Sequence, residues 1–184
     1  MERVGHLRET PTVDKITREK IRERFIDVLF DAHSLVRSLL WDEISDHFKN
    51  AGWSVDDIYA SGGERVEGEV YDVELEAYDF ELDQDNVVEN ENEPGCWIVS
   101  LPVSVNLTVS IALNFFKWDS VDREEIKMSG QSIAVQSTKE VEILLSSFDM
   151  TLDNPIEDWN ISIFIPNSDY EVGVGEVSHD FGGD

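Results

Sequence analysis

A single stretch of strict alternation constrains the fold of this chain more than any other feature. From Trp97 to Phe115 every odd position is apolar, whereas the even positions are small or polar and uncharged, with Ile98 as the one large apolar exception. Side chains along a β-strand point alternately to the two faces of a sheet, so this stretch predicts one apolar and one neutral face. Its nineteen residues would extend about 60 Å, so we expect either one strongly bent strand or two strands broken near Pro102.

The uncharged face of this strand contrasts with the composition of the chain. The 184 residues include 40 Asp and Glu against 14 Lys and Arg, which gives a formal net charge of −26. In so acidic a protein, a row of small neutral side chains indicates a face that is covered or closely packed, either by the N-terminal helix or by another chain. A homo-oligomer of this protein is therefore expected to use the uncharged strand face.

The other patterns predict helix first and strands afterwards. From Asp14 to Asn50 apolar residues recur every three or four positions, as in an amphipathic helix or a pair of helices, and Gly52 suits a left-handed stop after it. Alternation then predicts strands at 70–82, 97–115, 133–135, 141–145, 159–165 and 170–177. Since the connections are too short for crossover helices, the strands should pair antiparallel. The predicted fold class is α+β, with the N-terminal amphipathic helix or helix pair packed on a twisted, mainly antiparallel sheet of about five to seven strands.

We expect one compact unit with three parts: a helical segment at 1–50, an acidic antiparallel β domain at 51–178 and a flexible tail at 179–184. Cys96 is the single cysteine, so an internal disulfide is excluded and a reducing compartment is favoured. No apolar leader or membrane-length apolar run is present, which predicts a cytoplasmic location. The tryptophans fall in or beside apolar patterns, and we expect all five in the core: Trp41, Trp53, Trp97, Trp118 and Trp159.

The negative charge is unevenly distributed along the chain. Residues 1–50 hold nine basic and ten acidic side chains, residues 51–95 hold one and fifteen, and residues 96–184 hold four and fifteen. A chain of this kind is not expected to bind nucleic acid directly, because affinity for phosphate needs clustered cations. Such asymmetry along a chain is more typical of a surface that faces a partner than of a protein that is acidic throughout.

The densest acidic segment surrounds the predicted strand at 70–82. Asp72, Glu74 and Glu76 alternate with apolar residues, and a change of phase near Ala77 predicts a β-bulge. The segment Asp83–Gly95 reads as an exposed loop. The predicted partner-binding residues are Asp72, Glu74, Glu76, Asp79, Glu81, Asp83, Asp85, Glu89, Glu91 and Glu93.

These residues predict a non-enzymatic acidic protein-binding module. Its partner would carry a basic, nucleic-acid-binding surface, as a nucleic-acid-processing enzyme does, and the module would inhibit or regulate it, by nucleic-acid mimicry in a phage or bacterial defence setting. Carboxylates on one strand face lie about 6.7 Å apart, twice the 3.4 Å rise per phosphate of one DNA strand, so neighbouring strands or the loop must supply the rest. The competing interpretation is an acidic face that only keeps the sheet soluble. No cofactor is predicted.

The alternative function is that of a metal-dependent nuclease or an accessory domain of one. Asp119, Asp122 and the sequence Glu125-Ile126-Lys127 resemble the Asp…Glu-x-Lys core in which carboxylates hold Mg²⁺ and the lysine stabilises the attacking water. The loop at 83–93 offers oxygen ligands for calcium but fails the EF-hand pattern. His47 is expected at the surface or its boundary. We assign no catalytic or metal-binding residue.

The order of elements resembles a known protein region. The helix, Gly52-Trp53, the acidic strand at 70–82, the long strand at 97–115, the segment Phe116–Asp122 and the strand at 139–145 follow one another as in the β-rich C-terminal region after a PIN-like nuclease domain in some bacterial proteins. The resemblance covers residues 50–148. It implies a module associated with a nuclease, in phage defence or toxin regulation. The metal-binding Asp cluster of PIN domains is not recognisable, so no catalytic residue is implied.

Overall fold

The computed structural model describes residues 15–31, 33–148 and 150–178, so the predicted tail at 179–184 lies outside the described residues. Two helices, α1 (Lys15–Phe30) and α2 (Leu35–Asn50), precede the strands. The strands are β1 (Gly52–Ala60), β2 (Arg65–Phe80), β3 (Val88–Glu89), β4 (Trp97–Asp119), β5 (Glu124–Phe148), β6 (Asn160–Phe164) and β7 (Asp169–Val177). The predicted α+β fold class is confirmed: two N-terminal helices pack on a mainly antiparallel sheet.

The strands form two sheets. The main sheet has the order β2-β4-β5-β6, with β3 also paired to β4, and all its pairs are antiparallel. β1 and β7 form a parallel two-stranded ribbon, with Gly52 opposite Asp169, so the expected antiparallel pairing is wrong for the strand predicted at 170–177. The left-handed stop expected at Gly52 is wrong, because α2 ends at an extended Ala51 and Gly52 already begins β1.

The long alternating stretch is one strand of 23 residues, so of the two alternatives the unbroken strand is the one formed and the break near Pro102 does not occur. Pro102 lies opposite Glu142 in the ladder with β5. On the other side, no described strand pairs with β4 between its partners at Ile98 and Val103. Pro102 lies within this unpaired gap, and a residue without an N–H is tolerated at such a place.

The hydrophobic core lies on one face of the main sheet, which we call the inner face. The odd-numbered residues of β4 from Trp97 to Phe115 are all buried there. The helices cover this face with fully or almost fully buried side chains: Phe25, Leu29, Val36, Leu40, Ile44 and Phe48. Ser34 caps α2, since its Oγ accepts a hydrogen bond from the Arg37 N–H at 3.2 Å. Neither described helix has the length and apolarity needed to cross a lipid bilayer.

The β4–β5 hairpin extends beyond the rest of the main sheet. The ladder between β2 and β4 ends at Arg65, which lies opposite Phe116. The ladder between β4 and β5 continues further, to Asp119 opposite Glu124. The stretches predicted as separate strands at 133–135 and 141–145 belong to this single β5 of 25 residues. Trp118, on the projecting hairpin, is 61% exposed and Trp41, on α2, is 40% exposed, so the expected place of these two in the core is wrong.

Candidate interaction surface

The face of the main sheet opposite the core, the outer face, carries a line of carboxylates along β2. The exposed acidic residues of β2 lie opposite even-numbered residues of β4: Glu67 opposite Asn114, Glu69 opposite Ala112, Asp72 opposite Ser110, Glu74 opposite Thr108 and Asp79 opposite Ser104. We call these five residues, together with Glu76 and with Glu81 just after the strand, the acidic column. All seven side chains are exposed.

Two irregularities keep the acidic column on one face. The register between β2 and β4 shifts between Val70 and Asp72 and again between Leu75 and Ala77. Each shift adds one unpaired residue to β2. The outward positions are therefore odd-numbered before the first shift, even-numbered between the two shifts and odd-numbered again after the second. The bulge expected near Ala77 is confirmed. The first bulge was not foreseen, and it turns Tyr71, which the alternation placed inward, to an exposed position.

The acidic column has few compensating cations. Within the described part of the chain, Glu67 is its one member in an ion pair, with Arg65. Glu76 is held differently: its Oε1 accepts a hydrogen bond from the Thr108 hydroxyl at 2.6 Å, and the Gln136 side-chain amide donates to the same hydroxyl oxygen at 2.7 Å. This chain of contacts runs across β2, β4 and β5. The column therefore combines unneutralised charge with a scaffold fixed by three strands.

Beside the column, the centre of the outer face is neutral. Its side chains are Ser104, Asn106, Thr108, Ser110, Ala112 and Asn114 from β4, and Gly130, Ser132, Ala134, Gln136 and Thr138 from β5. These positions are half-buried or exposed, and the helices lie on the opposite face, so the expected cover by the N-terminal helix is wrong. At one end, Glu140 and Glu142 add carboxylates from β5, opposite Ser104 and Pro102.

The loop at 83–93 is not a simple extension of the column. Arg18 of α1 lies 3.4 Å from Glu89 Oε2, and Glu89 Oε1 accepts a hydrogen bond from the Gly95 N–H at 2.8 Å. Arg22 donates from Nε to the Val87 carbonyl oxygen at 3.1 Å. Glu89 is therefore a residue that fastens the loop to α1. The remaining predicted loop residues are exposed: Asp83, Asp85, Glu91 and Glu93.

The carboxylates of the nuclease alternative diverge. Asp119 pairs with Glu124 and Trp118 with Glu125, so Asp119 and Glu125 point to opposite faces of the hairpin. Glu125 is engaged by Arg65, whose Nε donates to its Oε1 at 3.0 Å. Within residues 15–31, 33–148 and 150–178, no group of three or more His, Cys, Asp or Glu side chains is placed to hold a metal ion. The hairpin gives no geometric support to metal-dependent cleavage.

No protein-family model, curated protein or solved structure matches this chain. The likeness to the β-rich region that follows PIN-like nuclease domains therefore stays a prediction.

Sequence reasoning missed part of the surface. Glu67 and Glu69 alternate with Val66, Gly68 and Val70, a pattern that predicts a strand beginning before residue 70. Glu140 and Glu142 flank Val141 at the start of the strand predicted at 141–145. Both pairs could have been found from periodicity, whereas the ion pair that removes Glu89 depends on α1 and has no local signal.

A second polar feature lies at the C-terminal end of α2. His47 Nε2 is 2.8 Å from the Tyr170 hydroxyl, and an open cleft of about 720 Å³ beside it is lined by Glu43, Asp46 and Asp169. Burial lowers the pKa of His47 and raises the pKa of Tyr170. Both groups are therefore uncharged near neutral pH, and the hydrogen bond joins a protonated phenol to a neutral imidazole. His47 lies at the boundary of the surface, in agreement with the sequence expectation.

The free energy of unfolding is expected to fall as the pH drops below 6.5, the ordinary pKa of histidine, because the unfolded state then binds a proton that folded His47 resists. The loss is complete below the lowered folded pKa. His47→Gln keeps a hydrogen-bonding group beside Tyr170 but does not titrate. In urea unfolding at about pH 7 and about pH 5.5, the wild type should lose more stability than this variant. Equal losses in both proteins would show that the imidazole contributes nothing to the pH dependence.

Proposed function

We propose that this protein is a non-enzymatic acidic binding module that places its acidic column on the basic surface of another protein, one whose cations normally bind nucleic acid. The observation that carries this proposal is that the carboxylates of β2 stay on the outer face along the whole strand. Two bulges change the phase of the strand, and after each change the carboxylates return to the outer face. A coating that served solubility alone would not require one continuous line.

The spacing of the column favours a particular partner geometry. The members from Glu67 to Glu74 sit opposite successive even-numbered residues of β4, about 6.7 Å apart. Lysine or arginine side chains four residues apart on a helix repeat about every 6.0 Å, so a basic helix of a nucleic-acid-binding protein can meet one carboxylate per turn. The column has about half the charge density of one DNA strand. It therefore competes for a row of cations rather than reproducing a duplex.

The neutral centre of the outer face supports this arrangement. Ser104, Asn106, Thr108 and Ser110 are small, so the carboxylates of β2 stand beside a low surface that a partner side chain can approach. Hydroxyl and amide groups there offer hydrogen bonds without adding charge. Removal of water on docking strengthens the attraction between opposite charges, and complementary fields accelerate association.

Neutralising three members of the column is expected to weaken partner binding roughly tenfold, at a few tenths of a kcal/mol or more for each lost charge pair. The variant carries Glu69→Gln, Asp72→Asn and Glu74→Gln. Purified chain serves as bait, captured proteins are identified by mass spectrometry, and affinities are then measured with the purified partner. Basic nucleic-acid-binding proteins should dominate the captured set and dissociate between about 0.05 M and about 0.5 M salt.

The matched control removes the same three charges from α2, as Asp42→Asn, Glu43→Gln and Asp46→Asn. These exposed residues lie away from the outer face, so affinity should stay within about twofold of wild type. An equal loss in both triple variants would mean that only net charge matters. Binding unchanged by salt would rule out the electrostatic mechanism.

A further inference from the structure

The two long edges of the main sheet are protected very differently. β5 pairs with β4 over its whole length, but on its other side β6 covers only Leu144–Phe148. From residue 124 to residue 143 no strand of the described chain pairs with that side. An open strand edge presents a row of unpaired N–H and C=O groups, and it is a template for another strand.

β2, at the opposite edge, carries the features by which proteins prevent such pairing. It has two bulges and exposed carboxylates at almost every outward position. Over its central part the edge of β5 has neither: the ten residues from Ser129 to Thr138 contain no charged residue and no proline, and the one bulge in the ladder with β4 lies before them, at Met128. The ladder with β4 is regular from Ser129 to Ser147. In a chain with a net charge of −26, an unprotected and uncharged edge of this length indicates an edge that is paired in the functional state.

We propose that two copies of this chain pair antiparallel through their β5 edges, forming one continuous sheet in the order β2-β4-β5-β5-β4-β2. A two-fold axis perpendicular to the sheet places the inner faces of both copies on the same side of the continuous sheet. Residues directly opposite each other then share a face, so the axis must lie between one residue and the same residue of the second copy. The open edge from 124 to 143 has its midpoint between Ile133 and Ala134.

An axis at Ala134 gives the better side-chain pairs of the two. Within the regular part of the edge it places Ile133 opposite Val135 of the second copy, twice by symmetry, and Ser129 opposite Lys139, so no direct pair there joins like charges. An axis at Ile133 would instead place Gln131 opposite Val135, and a pair of β-branched side chains stabilises a strand pair more than a polar side chain opposite an apolar one. These pairs favour the register with the axis at Ala134.

The net charge does not prevent this association. Between the two β2 strands of the continuous sheet lie five strand spacings of about 4.8 Å, so the acidic columns are about 24 Å apart. The Debye length is about 8 Å in physiological salt, and repulsion across that distance is largely screened. Self-pairing goes beyond the proposed binding function and does not depend on it. It would present two acidic columns on one face.

The mass in solution tests this inference. Light scattering after size-exclusion chromatography at about 0.15 M salt should give about twice the 21.0 kDa mass of one chain. Ala134→Glu puts two carboxylates next to each other at the proposed axis and should reduce the mass to that of the single chain. The matched control is Ser110→Glu, because Ser110 lies directly opposite Ala134 on β4 and on the same face. This control should remain a dimer, with unchanged circular dichroism in both variants.

A single-chain mass for the wild type at tens of micromolar would overturn the proposal. So would a dimer that Ser110→Glu disrupts and Ala134→Glu leaves intact, since the contact would then lie on the outer face. If Ala134→Glu fails to fold, Ala134→Cys replaces it, because the two introduced cysteines would lie opposite each other at the axis, within reach of a disulfide. The control is Thr138→Cys: residue 138 of one copy lies several residues along the strand from residue 138 of the other, so this variant should not cross-link. Equal cross-linking of both variants would also contradict the register.

Discussion

Phe48→Ala is expected to lower the free energy of unfolding by about 3–5 kcal/mol, the usual cost of removing a buried phenylalanine from a core. The ring is 1% exposed and contacts Tyr170 at a centroid distance of 4.8 Å and Trp53 at 6.2 Å. The Trp53 indole N–H also donates to the Phe48 carbonyl oxygen at 2.9 Å. One side chain thus joins the end of α2 to both strands of the ribbon, and its loss leaves a cavity that neither element can close alone.

Urea unfolding at a fixed protein concentration measures this effect. The matched control is Phe164→Ala, the same chemical change at a ring that is 60% exposed near the end of β6, where the cost should stay below about 1 kcal/mol. Comparable losses in the two variants would contradict the central role of the aromatic cluster. Binding through the outer face should survive in Phe48→Ala wherever the protein remains folded, because the acidic column lies on the other side of the sheet.

The helices and the main sheet were predictable because their patterns are local. The apolar spacing from Ile21 to Phe48 and the alternation through β4 each identify the buried side of an element without reference to its partners. The ribbon was not predictable. β1 contains Asp56 and Asp57, which interrupt its alternation, and Asp57 adopts a positive φ of 46°. Its partner β7 lies more than a hundred residues further along the chain, and no local pattern encodes that pairing.

The candidate surface divides in the same way. Asp72, Glu74, Glu76, Asp79 and Glu81 lie on one exposed line, as the alternation and the expected bulge indicate. The loop residues were added because the segment is acidic, and composition does not report tertiary contacts. Glu89 is bound by Arg18 from a helix much earlier in the chain. The open edge of β5 was equally hidden, because an edge is defined by which strand is missing beside it.

Gly68→Ala is expected to destabilise the protein by about 1–3 kcal/mol through overpacking. Gly68 points to the inner face between Glu67 and Glu69, where β1 packs against β2. A Cβ at this position would lie 2.9 Å from Val55 Cγ1 and 3.1 Å from Val55 Cβ. These atoms belong to a short branched side chain on a paired strand, so rotation cannot relieve the overlap and the backbones must separate.

The comparison that isolates this contact uses a second glycine. At Gly173 a Cβ would meet nothing closer than Asp57 Cβ at 4.0 Å, so Gly173→Ala should be neutral or slightly stabilising. Val55→Ala should recover part of the loss when combined with Gly68→Ala, a coupling that a double-mutant cycle measures in urea. If Gly68→Ala is as stable as Gly173→Ala, the close approach of the two strands does not exist in solution. If the loss is real but uncoupled from Val55, another neighbour sets the spacing between the ribbon and the strand that carries the acidic column.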